Sequence, residues 1–191
     1  MQLPLASVAE ASKARAKLKR QRQMESWAGV PEPGSKWIPL SRGKFSIVDE
    51  CTYNKLMENM WYVTEKGYAV RNVRIGGERK TRYMQEEIID VPDGMERDHI
   101  NRNKLDNRRQ NLRPCFRSQN MANKAKYFGN KTTSKFKGVS FNKRDRLFYA
   151  VGATSSGKPY IGCFRKEEDA AIAYDNWARK YYGEFALTNF P

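Results

Sequence analysis

Met95-Glu96-Arg97-Asp98-His99-Ile100-Asn101, followed by Leu105-Asp-Asn-Arg-Arg-Gln-Asn111-Leu-Arg113 and Ser118-Gln-Asn120, is the stretch on which the reading of this chain turns. Asp98 is an acceptor-only carboxylate, suited to a hard cation that takes oxygen ligands. His99 follows it directly and is the one histidine in 191 residues. Mid-strand, the two would point to opposite faces; where a strand runs out into a loop, both can reach one cleft. Asn111 and Asn120 add amide oxygens able to bind metal or to orient another side chain. Seven basic residues lie from Arg97 to Arg117 against two acids, Asp98 and Asp106. A carboxylate in so basic a stretch is well placed to hold a cation near phosphates.

Local patterning predicts a short strand through Asp98–Ile100 and a loop over 101–107. A second strand is expected at Leu112–Cys115, then a helix N-capped by Ser118 and running to about Tyr127. Such a β-β-α unit is expected to bring His99 and Asn120 together across its concave side. Phosphodiester hydrolysis needs an activated water, a group to neutralise developing charge and help for the leaving 3′ oxygen. A neutral imidazole, with an ordinary pKa near 6.5, can accept the proton from water at pH 7.

The rest of the chain agrees with a polyanionic partner. Lys plus Arg number 36 against 21 Asp plus Glu, a formal net charge of +15 and a pI near 9.8. Nucleic acid is the commonest partner for such an excess. Cys51, Cys115 and Cys163 are widely spaced and form no CxxC pair, which supports neither a disulfide framework nor a zinc ribbon. One histidine argues against a His-rich zinc site. No apolar run approaches the roughly 18 residues needed to span a bilayer. The expectation is a monomeric cytoplasmic protein with no membrane partner, in the host cytoplasm if phage-encoded.

Residues 1–34 read as a basic N-terminal segment and linker, helical to about residue 28 and broken by Gly29-Val-Pro-Glu-Pro-Gly34. From Trp37 to about Ile89 β-forming residues dominate, with strands expected at Lys36–Leu40 and Lys44–Val48. Hairpins are expected around Lys66-Gly67 and Gly76-Gly77. After the polar connection 129–134, strands are expected within 134–141, 147–151 and 158–164. Ala170, Ala173, Tyr174, Trp177, Ala178 and Tyr181 share one face of a closing helix that Gly183 stops. The fold class is α+β: a β-meander with a ββα-metal core, then a three-stranded antiparallel sheet packed on one helix. For Tyr174, Trp177 and Tyr181, core packing is favoured over base stacking.

The strings DHIN at 98–101, LDNRRQNLR at 105–113 and SQN at 118–120 resemble the HNH endonuclease family in its homing-endonuclease-like branch. The resemblance covers about 40 residues within an expected domain at 35–128. It implies Asp98 and Asn120 as ligands of a divalent metal, Mg²⁺ with Mn²⁺ as substitute. It also implies His99 as general base and Asn111 as the residue that orients loop and imidazole. Relatives often carry a Met-His-Arg-like string on the preceding strand, where this chain has Gln85 and Glu86, and two acids at 86 and 87 there would repel phosphate. The implied activity is nicking of double-stranded DNA near a preferred site; the alternative is a catalytically silent DNA-binding protein on the same scaffold.

The strings FKGV at 136–139, YIGCF at 160–164 and EEDAAIAYDNWARKYYGEFALTNFP at 167–191 resemble the ethylene-response-factor type of DNA-binding domain, over an expected domain at 131–191. In that family the sheet enters the major groove and the helix buttresses it. The resemblance implies DNA contacts from Lys137, Asn142, Lys143, Arg144, Arg146, Lys158 and Tyr160; Arg113 and Arg117 beside the first site join them as phosphate contacts. Ser140 stands where that family carries a base-reading arginine.

Overall fold

The computed structural model describes residues 29–129 and 132–191, with helix recorded at isolated positions from Ala11 to Ser26. The rest of the expected N-terminal helix lies outside the described residues. The protein is α+β and divides into two compact units that interleave along the chain. One comprises Met1–Asp90 and Asn103–Arg113, the other Val91–Arg102 and Pro114–Pro191.

In the first unit, β1 (Ser35–Pro39) pairs antiparallel with β2 (Phe45–Asp49), in a register that sets Trp37 opposite Ile47. Helix α1 (Glu50–Met57) follows at once. The sequence reading put only β structure here and missed this helix. Its apolar pair Tyr53 and Leu56, three apart on one face, is buried against Ile38, Val48 and Trp61. The Trp61 indole N–H closes the helix by donating to Leu56 O at 2.8 Å. Strands β3 (Tyr62–Val63), β4 (Ala69–Ile75) and β5 (Glu78–Tyr83) make the expected meander in the order β3-β4-β5. Gly76 and Gly77, at φ +60° and +84°, supply the tight turn that a side chain would resist.

The segment after β5 is a 3-10 turn, Met84–Glu87, and not the strand expected. Gln85 is buried at 8% exposure. Glu86 accepts from Tyr83 N at 3.1 Å and lies 3.8 Å from Arg82 Nε. Glu87 pairs with Arg71 at 2.7 Å. The acids that departed from the family pattern are therefore compensated by cations of their own unit.

Asp106 and Asn107 tie the 103–113 segment to β2: Ile47 N donates to Leu105 O at 2.9 Å, and Asn107 N to Ile47 O at 2.8 Å. The buried Asn107 amide donates to Ser46 Oγ at 2.8 Å. Arg108 pairs with Asp106 at 2.8 Å and also with Glu32, and these hydrogen bonds and charges raise its pKa further.

Strand β6 (Glu96–His99) forms a two-stranded sheet with β7 (Leu112–Cys115), a strand whose last two residues begin the second unit's C-terminal stretch, and α2 (Arg117–Asn123) follows in that unit. Phe116 is the N-cap of α2, two residues earlier than the Ser118 expected; Gln119 Oε1 accepts from Phe116 N at 2.8 Å. The helix stops at Asn123, four residues short of the expected Tyr127, because Lys124 turns extended at ψ 139°. Strands β8 (Val139–Asn142), β9 (Leu147–Val151) and β10 (Tyr160–Phe164) form an antiparallel sheet with β9 in the centre.

Helix α3 (Glu167–Tyr182) buries Ala170, Ala171, Tyr174 and Ala178 in one cluster with Val139 and Ala150 of that sheet. Glu167, Glu168 and Asp169 in its first turn suit the helix dipole. Gly138, at φ +73°, is required: a Cβ there would stand 1.9 Å from the Tyr174 ring. Gly152 likewise makes room for Trp177, 2.5 Å from the position a Cβ would take.

The buried stripe of α3 differs in two places from the sequence reading. Tyr182 is inside while Tyr181 is exposed and stacks on Trp177 at 5.2 Å. Asp175, polar and unassigned, is 1% exposed. It is buried because Asn189 N donates to both its oxygens at 2.9 Å, with Asn189 Nδ2 and Phe190 N adding 2.9 Å bonds. A buried carboxylate that accepts four such bonds from three donors is satisfied and pins the C-terminal segment to the helix.

Candidate functional site

Strand β6 delivers Asp98 and His99 at its end, and both are buried at 5% exposure. They lie where the strand gives way to a turn, with Arg102 N donating to His99 O at 2.8 Å. Arg102 takes φ +64°, the conformation such a turn demands. Glu96 sits two residues earlier, hence on the same strand face as Asp98 by the period of two.

Helix α2 addresses this strand with two asparagines one turn apart. Asn120 Nδ2 donates to Glu96 Oε2 at 2.6 Å. Asn123 Nδ2 lies 3.0 Å from both oxygens of Asp98, 2.9 Å from His99 O and 3.3 Å from Ile100 O. Of the two, Asn123 is the one hydrogen-bonded to the Asp98–His99 pair, and the sequence pattern assigns it no role. Its spacing of three from Asn120 puts both on one helical face, and that was the available signal. Glu96 was likewise missed; its neighbour two residues on in an alternating strand was the clue. Asn111, in the first unit, is buried and donates to Asp106 O at 2.8 Å.

The donor atoms here are hard. A carboxylate and amide oxygens suit a small divalent cation that keeps several open positions for water and phosphate. Among the described residues no three of His, Cys, Asp and Glu gather into a metal-holding group. The residues present thus fit a sparsely ligated hard cation and not a closed thiolate or imidazole cage. All three cysteines are free thiols.

The second candidate surface is the face of the β8-β9-β10 sheet opposite α3. Register and alternation put Ser140, Asn142, Tyr149, Tyr160 and Cys163 on it, since Val139, Ala150 and Phe148 turn toward the helix. Tyr149 and Tyr160 meet edge to face at 5.7 Å. The Tyr149 hydroxyl donates to Asp145, which, with Arg144, holds that carboxyl below its usual range. A hydrogen bond with Cys163, then burial, pushes the Tyr160 phenol up to about 12.

Lys143, Arg144, Arg146 and Lys158 are exposed around this face. Arg144 pairs with Asp145 at 3.0 Å. Asn142 Oδ1 accepts from Arg144 N at 2.9 Å, while its amide donates to Asp145, so it shapes the β8–β9 turn. Arg113 is half-buried and Arg117 is exposed, 3.4 Å from Glu96. Lys137 is differently employed: its ammonium donates to Ala122 O in α2. Burial, and next the charge of Arg102, lower its pKa to about 8, with Asp175 opposing.

Comparison with known proteins bears on the first site and on the wider chain. A family model described as HNH endonuclease matches residues 90–122. An uncharacterized HNH endonuclease of Acanthamoeba polyphaga mimivirus is 32% identical over 155 residues, covering 78% of this chain and 78% of the relative. No solved structure matches. Among the described residues no helix is long and apolar enough to cross a membrane. The family match spans Asp98, His99, Asn111 and Asn120, the likeness to the viral relative runs well beyond them, and the chain therefore belongs to the HNH endonucleases, hydrolases that cut DNA.

Proposed function

We propose that this chain is a metal-dependent endonuclease that nicks double-stranded DNA near a preferred site. In this reading β6 and α2 carry the chemistry and the C-terminal sheet carries DNA recognition. The observation that supports it most is a buried carboxylate and a buried imidazole side by side at the end of β6, with an asparagine amide fixed on that carboxylate. Burial of a charge is costly unless hydrogen bonds compensate it, and the Asn123 amide is placed to do so for Asp98, which leaves the carboxylate oriented in a buried site.

A divalent cation, when bound, neutralises charge on the scissile phosphate and eases departure of the 3′ oxygen. Asp98 and Asn120 are the residues assigned to hold it. Neutral His99 takes the proton of the attacking water as general base. Asn111 keeps its loop fixed through Asp106 O and so orients the residues that follow it. Arg113 and Arg117 hold the backbone phosphates on either side. One such site per monomeric chain cuts one strand.

The C-terminal unit is read as an ethylene-response-factor-type domain. A three-stranded sheet with one helix behind it and cations around the open face supports that assignment. Lys143, Arg144, Arg146, Lys158 and Tyr160 are the contacts proposed. Lys137 and Asn142 serve instead to shape the unit, given their bonds to Ala122 and Asp145. Plasmid nicking with and without Mg²⁺, His99→Ala as control, tests the whole reading. Nicking that needs Mg²⁺ and vanishes in the variant is the expected outcome; binding without nicking under any divalent metal would leave a silent DNA-binding protein.

A further inference from the structure

The geometry points to Asn123 as a positioning residue for Asp98 and His99, one held in place by the C-terminal sheet. The inference rests on the nuclease reading above. Asn123 is 7% exposed, and its amide nitrogen is within 3.0 Å of both Asp98 oxygens and 2.9 Å of His99 O. Two N–H groups shared among a carboxylate and the strand's terminal carbonyls do two things. They fix which way the Asp98 oxygens face, and they fix the backbone from which the imidazole projects. A ligating carboxylate fixed by a neighbouring donor is the usual arrangement behind a metal site.

What fixes Asn123 is equally visible. Its neighbour Ala122 is buried in the same apolar cluster as Val139, Ala150 and Tyr174. Ala122 O accepts from Leu187 N at 3.2 Å and from the Lys137 ammonium. Lys137 is itself set by Asn189, which accepts from Lys137 N at 2.6 Å and donates to Lys137 O at 3.1 Å. Asn189 is anchored on buried Asp175 of α3. Hydrogen bonds thus lead from α3 to the backbone of Ala122, and the adjoining residue Asn123 carries the path on to the Asp98 carboxylate. The last turn of α2 belongs to the core of the C-terminal unit, and the amide that aims Asp98 comes with it.

The test uses the full chain with Asn123→Ala and, as a milder change, Asn123→Ser. Plasmid nicking kinetics are measured alongside Mn²⁺ affinity by calorimetry, with thermal unfolding to confirm the fold. Expected is a fall of about 10- to 100-fold in Mn²⁺ affinity or in kcat, with KM for plasmid unchanged. A purely structural residue would lower the unfolding temperature and leave the folded fraction's Mn²⁺ affinity and kcat as they were. That result overturns the inference, as does failure of both variants to fold. Wild-type chain and His99→Ala are run in parallel: if those two nick alike, or wild type neither nicks nor binds Mn²⁺, it is the nuclease reading that has failed.

Discussion

His99 and Asp98 stand adjacent in sequence at the end of β6 and are both buried. On the proposed reading, removing the imidazole takes away the general base and leaves in place the exposed cations proposed to contact DNA. His99→Ala is therefore expected to lower nicking by about 10²- to 10⁴-fold while plasmid affinity stays within about twofold. Gel-shift and nicking assays on one preparation read both; a parallel loss of binding would place His99 in recognition instead.

Two elements of the second unit depend on single side chains. The β8 approach passes Gly138 at φ +73° directly under Tyr174. Gly138→Ala strains the backbone and drives a methyl into the ring, and should cost about 1–3 kcal/mol or more of stability in denaturant unfolding. A loss within experimental error would mean that α3 can lift from the sheet.

Lys137 ties β8 to α2 at the cost of burying an ammonium. Its pKa in the folded chain is lowered to about 8 from the ordinary 10.5. Below about pH 8 the group is charged in both folded and unfolded chains, so the burial cost is fully present. Between pH 8 and the ordinary value the unfolded chain holds more protons, and stability rises with pH. Thermal unfolding of wild type should therefore improve from pH 7.5 to 9.5, and Lys137→Met should not show that rise. Equal slopes for the two proteins would contradict the buried ammonium.

At the scale of the molecule, the net charge of +15 sets affinity more than any single contact. Five exposed cations, Arg117, Lys143, Arg144, Arg146 and Lys158, each neutralising one phosphate, would give a log–log salt slope of about −4.5. Fluorescence anisotropy across a salt series measures it, and a flat line would refute the electrostatic footprint.

The interleaved division of the chain carries a further consequence. Because Ala122 is part of the C-terminal core, a chain ending at residue 128 should lose Mn²⁺ affinity and nicking together, not merely DNA affinity. Recovery of full nicking by that fragment at raised protein concentration would show the nuclease segment to be self-sufficient.

Sequence alone determined the parts ruled by local chemistry. The adjacency of Asp98 and His99, the β7 span, the hairpin turns at Lys66-Gly67 and Gly76-Gly77 and the Ala170, Tyr174 and Ala178 stripe of α3 each follow from residue type and period, which need no distant partner. Helix α1 was hidden because its burial rests on Trp61 and Ile38, residues outside its own window.

Tertiary structure decided which polar groups are inside. Asp175 has no assignment from the helical pattern and is core because Asn189 returns to it from fourteen residues away. Lys137 looked like a phosphate contact and donates to Ala122 O. Asn123 has no role assigned by the sequence pattern and lies on Asp98. A side chain's periodicity fixes the face it occupies, but a buried polar atom is specified by the partner that satisfies it, and that partner is brought by the fold.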